Sequence, residues 1–303
     1  MTYATAHNCA IDIVYETMGP DQNEPLLLIM GTGGQLISWP DGFCQGLVDR
    51  GFRVARFDNR DSGLSTRLTE HGTPNQLRML LRPGSAAVYS LRDMAADAVA
   101  VLDDIGWPAA HIVGMSQGGA IAQTMATAFP ERVASLTSIS SQPAPRIGQP
   151  SPRDLVKVIR LANPRRVKTA DDAGQYTVDL QQIVGSPAYP ADEAALRDRG
   201  RRAHARGRLD MACVQRQTAA IVASGDRRAA LANVRVPTLV IHGEDDKMIR
   251  PVAGRATADA IPGARLVTFP GMGHELPQPL WGSIIDEIAA VARVARPDDT
   301  TRI

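Results

Sequence analysis

Apolar runs of strand length alternate along this chain with amphipathic stretches of helix length. That pattern predicts an α/β protein with a mostly parallel sheet covered by helices. Residues 26–30 form a continuous apolar run, which reads as a strand buried on both faces. It ends in Gly31-Thr32-Gly33-Gly34, and a helix is expected over 40–49. A second strand, 52–57, runs into the polar turn Asp58-Asn59-Arg60-Asp61-Ser62-Gly63. Residues 91–105 place Met94, Ala98, Val101, Leu102 and Ile105 near one helical face, and Gly106 and Pro108 stop the helix. Further strands are expected over 111–114, 133–138, 237–241 and 265–269. Helices are expected over 118–129, 251–260 and 280–295, with a frayed polar end over 296–303.

The pattern changes over 143–226, which lacks a convincing buried strand. Helical stretches such as 155–162 and 191–204 are broken there by Pro150, Pro152, Pro164, Gly185, Pro187 and Pro190. This segment reads as a helical insertion, and residues 1–142 and 227–303 together form the core domain. Leu155, Val158, Ile159, Leu161, Leu180 and Ile183 are positioned to pack the insertion on the sheet or to line an acyl pocket. Packing is the commoner use of such residues.

Composition narrows the classes. With 303 residues the chain can bury a sizeable core, as one domain with an insertion or as two domains. Its 33 basic and 32 acidic residues nearly cancel, so nucleic acid is not an expected partner. Cys9, Cys44 and Cys213 are too far apart in sequence for a CxxC metal or redox motif and fit free thiols in a reducing compartment. Neither a secretory signal nor a membrane-spanning run is visible, so a cytoplasmic protein is expected; peripheral membrane contact stays open.

The strongest chemical signal is Gly114-Met115-Ser116-Gln117-Gly118, a G-x-S-x-G motif between a predicted strand and a small-residue helix. A serine on so tight a turn is raised above the sheet edge, while the helix start below offers free N–H groups to an anion. In isolation the motif is an ordinary glycine-rich turn; its context makes Ser116 a candidate nucleophile.

A serine hydroxyl needs a base, and the base an orienting acid. Of six histidines, His274 stands in a glycine-rich loop after the last predicted strand, at the edge where open α/β sheets place their sites. His242 and His111 read as structural, and His204 as exposed in the arginine-rich insertion. The acid lies among Glu244, Asp245 and Asp246. Three neighbouring carboxylates cannot all be buried, so one turns inward and the others stay in water. Backbone N–H groups of Gln117 and Thr32 are the expected oxyanion donors. The Gly31–Gly34 loop lacks the Lys and Ser/Thr of a Walker phosphate loop and the third glycine of a dinucleotide loop.

These features resemble the α/β-hydrolase superfamily across nearly the whole chain. The order Ser116, acid, His274 is that family's order. Met30-Gly31, Trp39-Pro40, Arg56-Phe57-Asp58-Asn59-Arg60-Asp61, Gly63-Leu64-Ser65, Ile112-Val113-Gly114 and Pro270-Gly271-Met272-Gly273-His274 are similar to its aclacinomycin-methylesterase-like carboxylesterase branch. The resemblance of His242-Gly243-Glu244-Asp245-Asp246 to the family's acid segment puts the acid on Asp246, with Asp245 second. It also implies a helical cap, no cofactor and no metal. Two positions depart from the family: Met30 stands where many members carry His, and Lys247 where many carry Pro.

The expected activity is hydrolysis of small-molecule carboxylic esters through a Ser116–His274–Asp246 triad and an acyl-enzyme. The alternatives are a thioesterase or lysophospholipase using the same triad, and a non-catalytic ligand-binding protein on this fold. Haloalkane dehalogenases and epoxide hydrolases are excluded, because they use an aspartate where Ser116 stands. Arg197, Arg199, Arg201, Arg202, Arg206 and Arg208 either attract anionic substrates or form a solvated helix face.

Overall fold

The computed structural model describes residues 3–161 and 167–295. The polar end 296–303, Pro164, and the side chains of Ile159 and Leu161 lie outside the described residues. Eight strands form one sheet: β1 (Ala4–Asn8), β2 (Ile11–Met18), β3 (Glu24–Ile29), β4 (Phe52–Phe57), β5 (Ala110–Met115), β6 (Val133–Ile139), β7 (Thr238–Gly243) and β8 (Arg265–Phe269). The spatial order is β1-β2-β4-β3-β5-β6-β7-β8. β1 and β2 pair antiparallel, as do β2 and β4, and all other neighbours are parallel.

The continuous apolar run in β3 has a direct cause. Leu27 and Ile29 join one core with Met94, Ala98 and Ile121, while Leu26 and Leu28 join the other with Phe43, Leu47, Ile284 and Ile288. Both faces of the strand are covered, so both sets of alternate side chains must be apolar. The β1–β2 hairpin was not among the expected strands. Most of its residues are only partly buried or exposed, and buried positions are scattered, so neither strand presents a long apolar run.

The helices are α1 (Asp41–Val48), α2 (Gln76–Leu81), α3 (Pro83–Ala86), α4 (Leu91–Ile105), α5 (Gln117–Ala128), α6 (Pro152–Leu161), α7 (Ala170–Val184), α8 (Glu193–Arg206), α9 (Met211–Ala223), α10 (Arg228–Leu231), α11 (Val252–Ala260) and α12 (Trp281–Val294). α4 starts where Ser90 and Asp93 form a reciprocal cap and ends at Gly106 in the left-handed region, φ 81°. α6 to α10 all lie between the neighbouring strands β6 and β7. α7 and α8 pack so closely that a Cβ at Gly200 would stand 2.4 Å from the Ala173 carbonyl oxygen.

The turn after β4 is a buried polar hub. Arg216 of α9 grips both oxygens of Asp61, at 2.8 and 2.7 Å, and the Tyr89 hydroxyl donates to the same carboxylate at 2.7 Å. Arg60 holds Asp97 of α4 at 2.6 and 2.7 Å. Asp58 accepts from Leu36 N–H, Leu64 N–H and Arg206 of α8. Asn59 donates to the Met30 carbonyl. A buried ion pair adds little stability over an apolar pair, but losing one partner leaves an uncompensated buried charge.

His242, at the end of β7, is fully buried. Its Nε2–H donates to the Ile249 carbonyl at 2.8 Å. Its Nδ1 has no hydrogen-bond partner among the described residues, and a Cβ on Gly254 would stand 2.5 Å from that nitrogen. A second proton would find no acceptor, and burial holds the imidazole pKa below 6.5.

Two stability outcomes follow. Arg216→Met, which strips Asp61 of its partner, is expected to lower unfolding free energy by about 3–5 kcal/mol; a loss under about 1 kcal/mol in a denaturant titration would rule out a pairing role. For His242 the unfolded state binds the proton more readily. Its contribution is therefore present above the unfolded pKa and is lost as pH falls through the folded one. Between about pH 7.5 and 5.5 the Tm of the wild type should fall more steeply than that of His242→Gln; equal slopes would exclude this residue as the cause.

Candidate active site

Every candidate residue sits at the carboxyl edge of the parallel strands: Thr32 after β3, Ser116 after β5, Asp246 after β7 and His274 after β8. That edge is the site edge of open α/β sheets. Ser116 occupies the single residue between β5 and α5, with φ 56° and ψ −121°. Such a conformation costs a non-glycine residue about 1–3 kcal/mol, so its surroundings must impose it. Ser116 N–H donates to the Ile139 carbonyl, and the Ser141 hydroxyl donates to the Ser116 carbonyl at 2.7 Å.

The motif's glycines are required by contact rather than by unusual φ. A Cβ at Gly118 would stand 1.9 Å from the Ile29 carbonyl oxygen, and one at Gly114 would stand 2.1 Å from that of Gly118. The strand, the turn and α5 are pressed together backbone to backbone.

Ser116, His274 and Asp246 form one hydrogen-bonded chain. Ser116 Oγ lies 3.0 Å from His274 Nε2, and His274 Nδ1 lies 2.7 Å from Asp246 Oδ2. An ionised carboxylate only accepts, so Nδ1 carries the proton and Nε2 offers its lone pair to the serine hydroxyl. Asp246 is buried, and its other oxygen accepts from the Met248 and Ile249 N–H groups, both at 2.9 Å. Glu244 and Asp245 are exposed. One carboxylate of the three is therefore turned inward, and it is Asp246.

The loop carrying His274 is fixed from the far side. His274 N–H donates to the Val184 carbonyl, Gly273 N–H to the Ser186 hydroxyl, and Ser186 N–H to the Glu275 carboxylate. These partners stand at the end of α7 and just beyond it.

The Gly31–Gly34 loop passes directly over the serine. A Cβ on Gly31 would stand 2.9 Å from Ser116 Cβ and 3.3 Å from its Oγ. Gly33 N–H donates to Gln217 Oε1 at 2.7 Å, whereas Thr32 N–H has no acceptor among the described residues. Gln117 N–H is the first of α5 and has no intrahelical acceptor. Gln217 of α9 also donates to the Arg60 carbonyl and the Ser62 hydroxyl, and its own carbonyl accepts from the Gln117 side chain. No sequence signal had singled out Gln217 or Ser186.

Of the other histidines, His242 comes nearest to this chain, its Nε2 lying 3.5 Å from Asp246 Oδ2. His111 meets the Ser135 hydroxyl at 2.8 Å inside the sheet. His204 was expected to be exposed, but it is half-buried, with Nδ1 enclosed and without a partner among the described residues. α8 packs along α7, which covers one side of the ring's helix despite its arginine-rich sequence. Among the described residues no three of His, Cys, Asp and Glu are grouped to hold a metal ion, and no helix is long and apolar enough to cross a membrane. A crevice of about 760 Å³ along α6, touching Ser151, Asp154 and Lys157, includes none of the three linked residues.

Comparison with known proteins agrees with this architecture. Rhodomycin D methylesterase DnrP from Streptomyces peucetius is 32% identical over 95% of this chain and 97% of its own length. Rhodomycin D methylesterase DauP from Streptomyces sp. strain C5 is 32% identical over 92% and 94%. In fold, the enol-lactonase from Burkholderia xenovorans LB400 superposes with a TM-score of 0.73 at 22% identity, covering 96% of this chain and all of that one. The profile of the α/β-hydrolase fold matches residues 24–277. A match of that extent, on an eight-stranded sheet of this order, means that the chain belongs to the α/β-hydrolase fold family.

Proposed function

We propose that this protein is a serine-dependent carboxylic ester hydrolase, with Ser116 as nucleophile, His274 as general base and then acid, and Asp246 as the residue that orients and balances the imidazole. The observation that carries the reading is the linked chain Ser116 Oγ, His274 Nε2, His274 Nδ1, Asp246 Oδ2, at 3.0 and 2.7 Å. Similarity to two methylesterases makes methyl esters of carboxylic acids the first substrates to test.

In this mechanism Ser116 attacks the ester carbonyl while His274 takes its proton. Negative charge gathers on the former carbonyl oxygen and is met by the N–H groups of Thr32 and Gln117. His274 then protonates the leaving alcohol. Water enters, gives its proton to the same imidazole and releases the acid. The helices between β6 and β7 act as a cap over the site, and no metal or cofactor is called on. A thioesterase would use the same groups, so the ester is favoured by the relatives rather than by the geometry.

Two outcomes test the assignment. Ser116→Ala should lower kcat on p-nitrophenyl or methyl esters by a factor on the order of 10⁶ while the fold is retained; persistence of turnover, with no labelling of Ser116 by a fluorophosphonate, would leave only ligand binding. Asp246→Asn presents the wrong hydrogen-bonding pattern to Nδ1 and should cost roughly 10⁴ in kcat, whereas Asp245→Asn should change it less than about threefold. A reversed ranking in steady-state kinetics would move the acid to Asp245.

A further inference from the structure

The arginine-rich stretch of α8 and the turn after it is resolved by the structure into members with different surroundings. Arg197 donates to Gln175 at 2.6 Å, Arg201 to Asp171 at 2.8 Å, and Arg206 to Asp58 at 2.6 Å. Arg202 lies 3.9 Å from Asp41 at the surface, and Arg208 is exposed. Arg199 is different. Among the described residues its guanidinium has no hydrogen bond and no ion pair within reach, although protein surrounds most of the side chain. It keeps partial contact with solvent. A side chain enclosed yet still wetted stands on the wall of a crevice.

The fold locates that crevice. Arg199, Ala203 and Arg206 fall at i, i+4 and i+7 and share one face of α8. That face is turned to the sheet, because the Ala203 carbonyl accepts from Gln35 and Arg206 grips Asp58. Gln35 ends the loop that passes over Ser116. The carboxylate close enough to act on Arg199 is Glu275, the residue after His274. Arg199 therefore stands between the serine-covering loop and the histidine loop. On α7, Tyr176, Leu180 and Ile183 form a partly exposed stripe at the same spacing. The antiparallel contacts Gly174 with Arg197, and Gly200 with Ala173, put this stripe on the same side of the helix pair as Arg199. Ile183 adjoins Val184, which holds His274. The crevice wall is thus mainly apolar, with one phenol and one unpaired cation.

The guanidinium keeps contact with water, but in these largely enclosed surroundings an incoming anion pairs with it more strongly than at an open surface. Glu275 compensates the cation only at a distance, since no hydrogen bond or ion pair joins the two side chains. We propose that Arg199 recognises an ionised carboxylate or comparable oxyanion on the substrate ester, away from the scissile carbonyl, so that the preferred substrates are anionic esters such as half-esters of dicarboxylic acids. This rests on the hydrolase reading above and names the substrate class of that site.

The test compares mono-p-nitrophenyl adipate with p-nitrophenyl hexanoate, esters of equal acyl length that differ by a terminal carboxylate. In Arg199→Gln the ratio of kcat/KM, charged ester over neutral ester, should fall about 10- to 100-fold, chiefly through KM. Arg199→Lys should recover part of the ratio, and Arg208→Gln should leave it at the wild-type value. An unchanged ratio in Arg199→Gln overturns the proposal, as does an equal loss on both esters, which marks a structural role. A second arm does not depend on turnover. Ser116→Ala, titrated calorimetrically with monomethyl adipate, should bind it about 10-fold or more tightly than Ser116→Ala/Arg199→Gln. Equal affinities overturn the proposal even if the enzyme is active, whereas failure of the wild type to cleave either ester overturns the hydrolase reading and leaves the titration to judge Arg199.

Discussion

The buried charge of the turn after β4 is the constraint on which the rest depends. Asp58, Arg60 and Asp61 lie within four consecutive residues, all buried, so each must be paired. Their partners come from distant parts of the chain: Arg206 on α8, Asp97 on α4 and Arg216 on α9. Moving any of these helices away would strip a carboxylate or a guanidinium of its counter-charge in a place water cannot fill. The same turn holds the Ser116-covering loop, through Asn59 on the Met30 carbonyl and Asp58 on Leu36 N–H. One short polar segment therefore fixes both the sheet side and the helical side of the site.

Around Ser116 the dominant force is close packing of backbone. Ile29, Gly114 and Gly118 approach within distances that admit no side chain, and the serine is left in a conformation it would not choose. Strain of that kind persists only where neighbours over-determine it. Here they do: the Ile139 carbonyl, the Ser141 hydroxyl and the first turn of α5 all hold the same residue. His274 is held by a different device, hydrogen bonds from its loop to Val184 and Ser186. The segment between β6 and β7 consequently contributes to the position of the imidazole.

Much of this was legible in the sequence because it is local. The continuous apolar run of β3, the amphipathic spacing of α4 and the strand-turn-helix setting of Ser116 each depend on residues within one or two turns of each other. The β1–β2 hairpin was not legible, because most of its positions are partly or fully exposed and no apolar run marks it. Glycines flanking Ser116 were readable as a need for space, but the atoms that need it belong to Ile29, far away in sequence. Gln217 escaped notice altogether: its bond to Gly33 spans 184 positions, and a glutamine in a helix carries no pattern.

What the sequence determined by itself is the alternation of elements, the family likeness, and the order serine, acid, histidine. Periodicity and short motifs encode these directly. Residue chemistry left Glu244, Asp245 and Asp246 open and only the family resemblance pointed to Asp246; tertiary structure buries that carboxylate against the imidazole, and it alone decided which of six arginines is enclosed yet lacks a partner among the described residues. Both choices turn on the direction of a side chain relative to strands and helices brought together from distant positions. Neighbouring carboxylates or arginines are alike in sequence, and only packing separates the one that faces inward from those that remain in water.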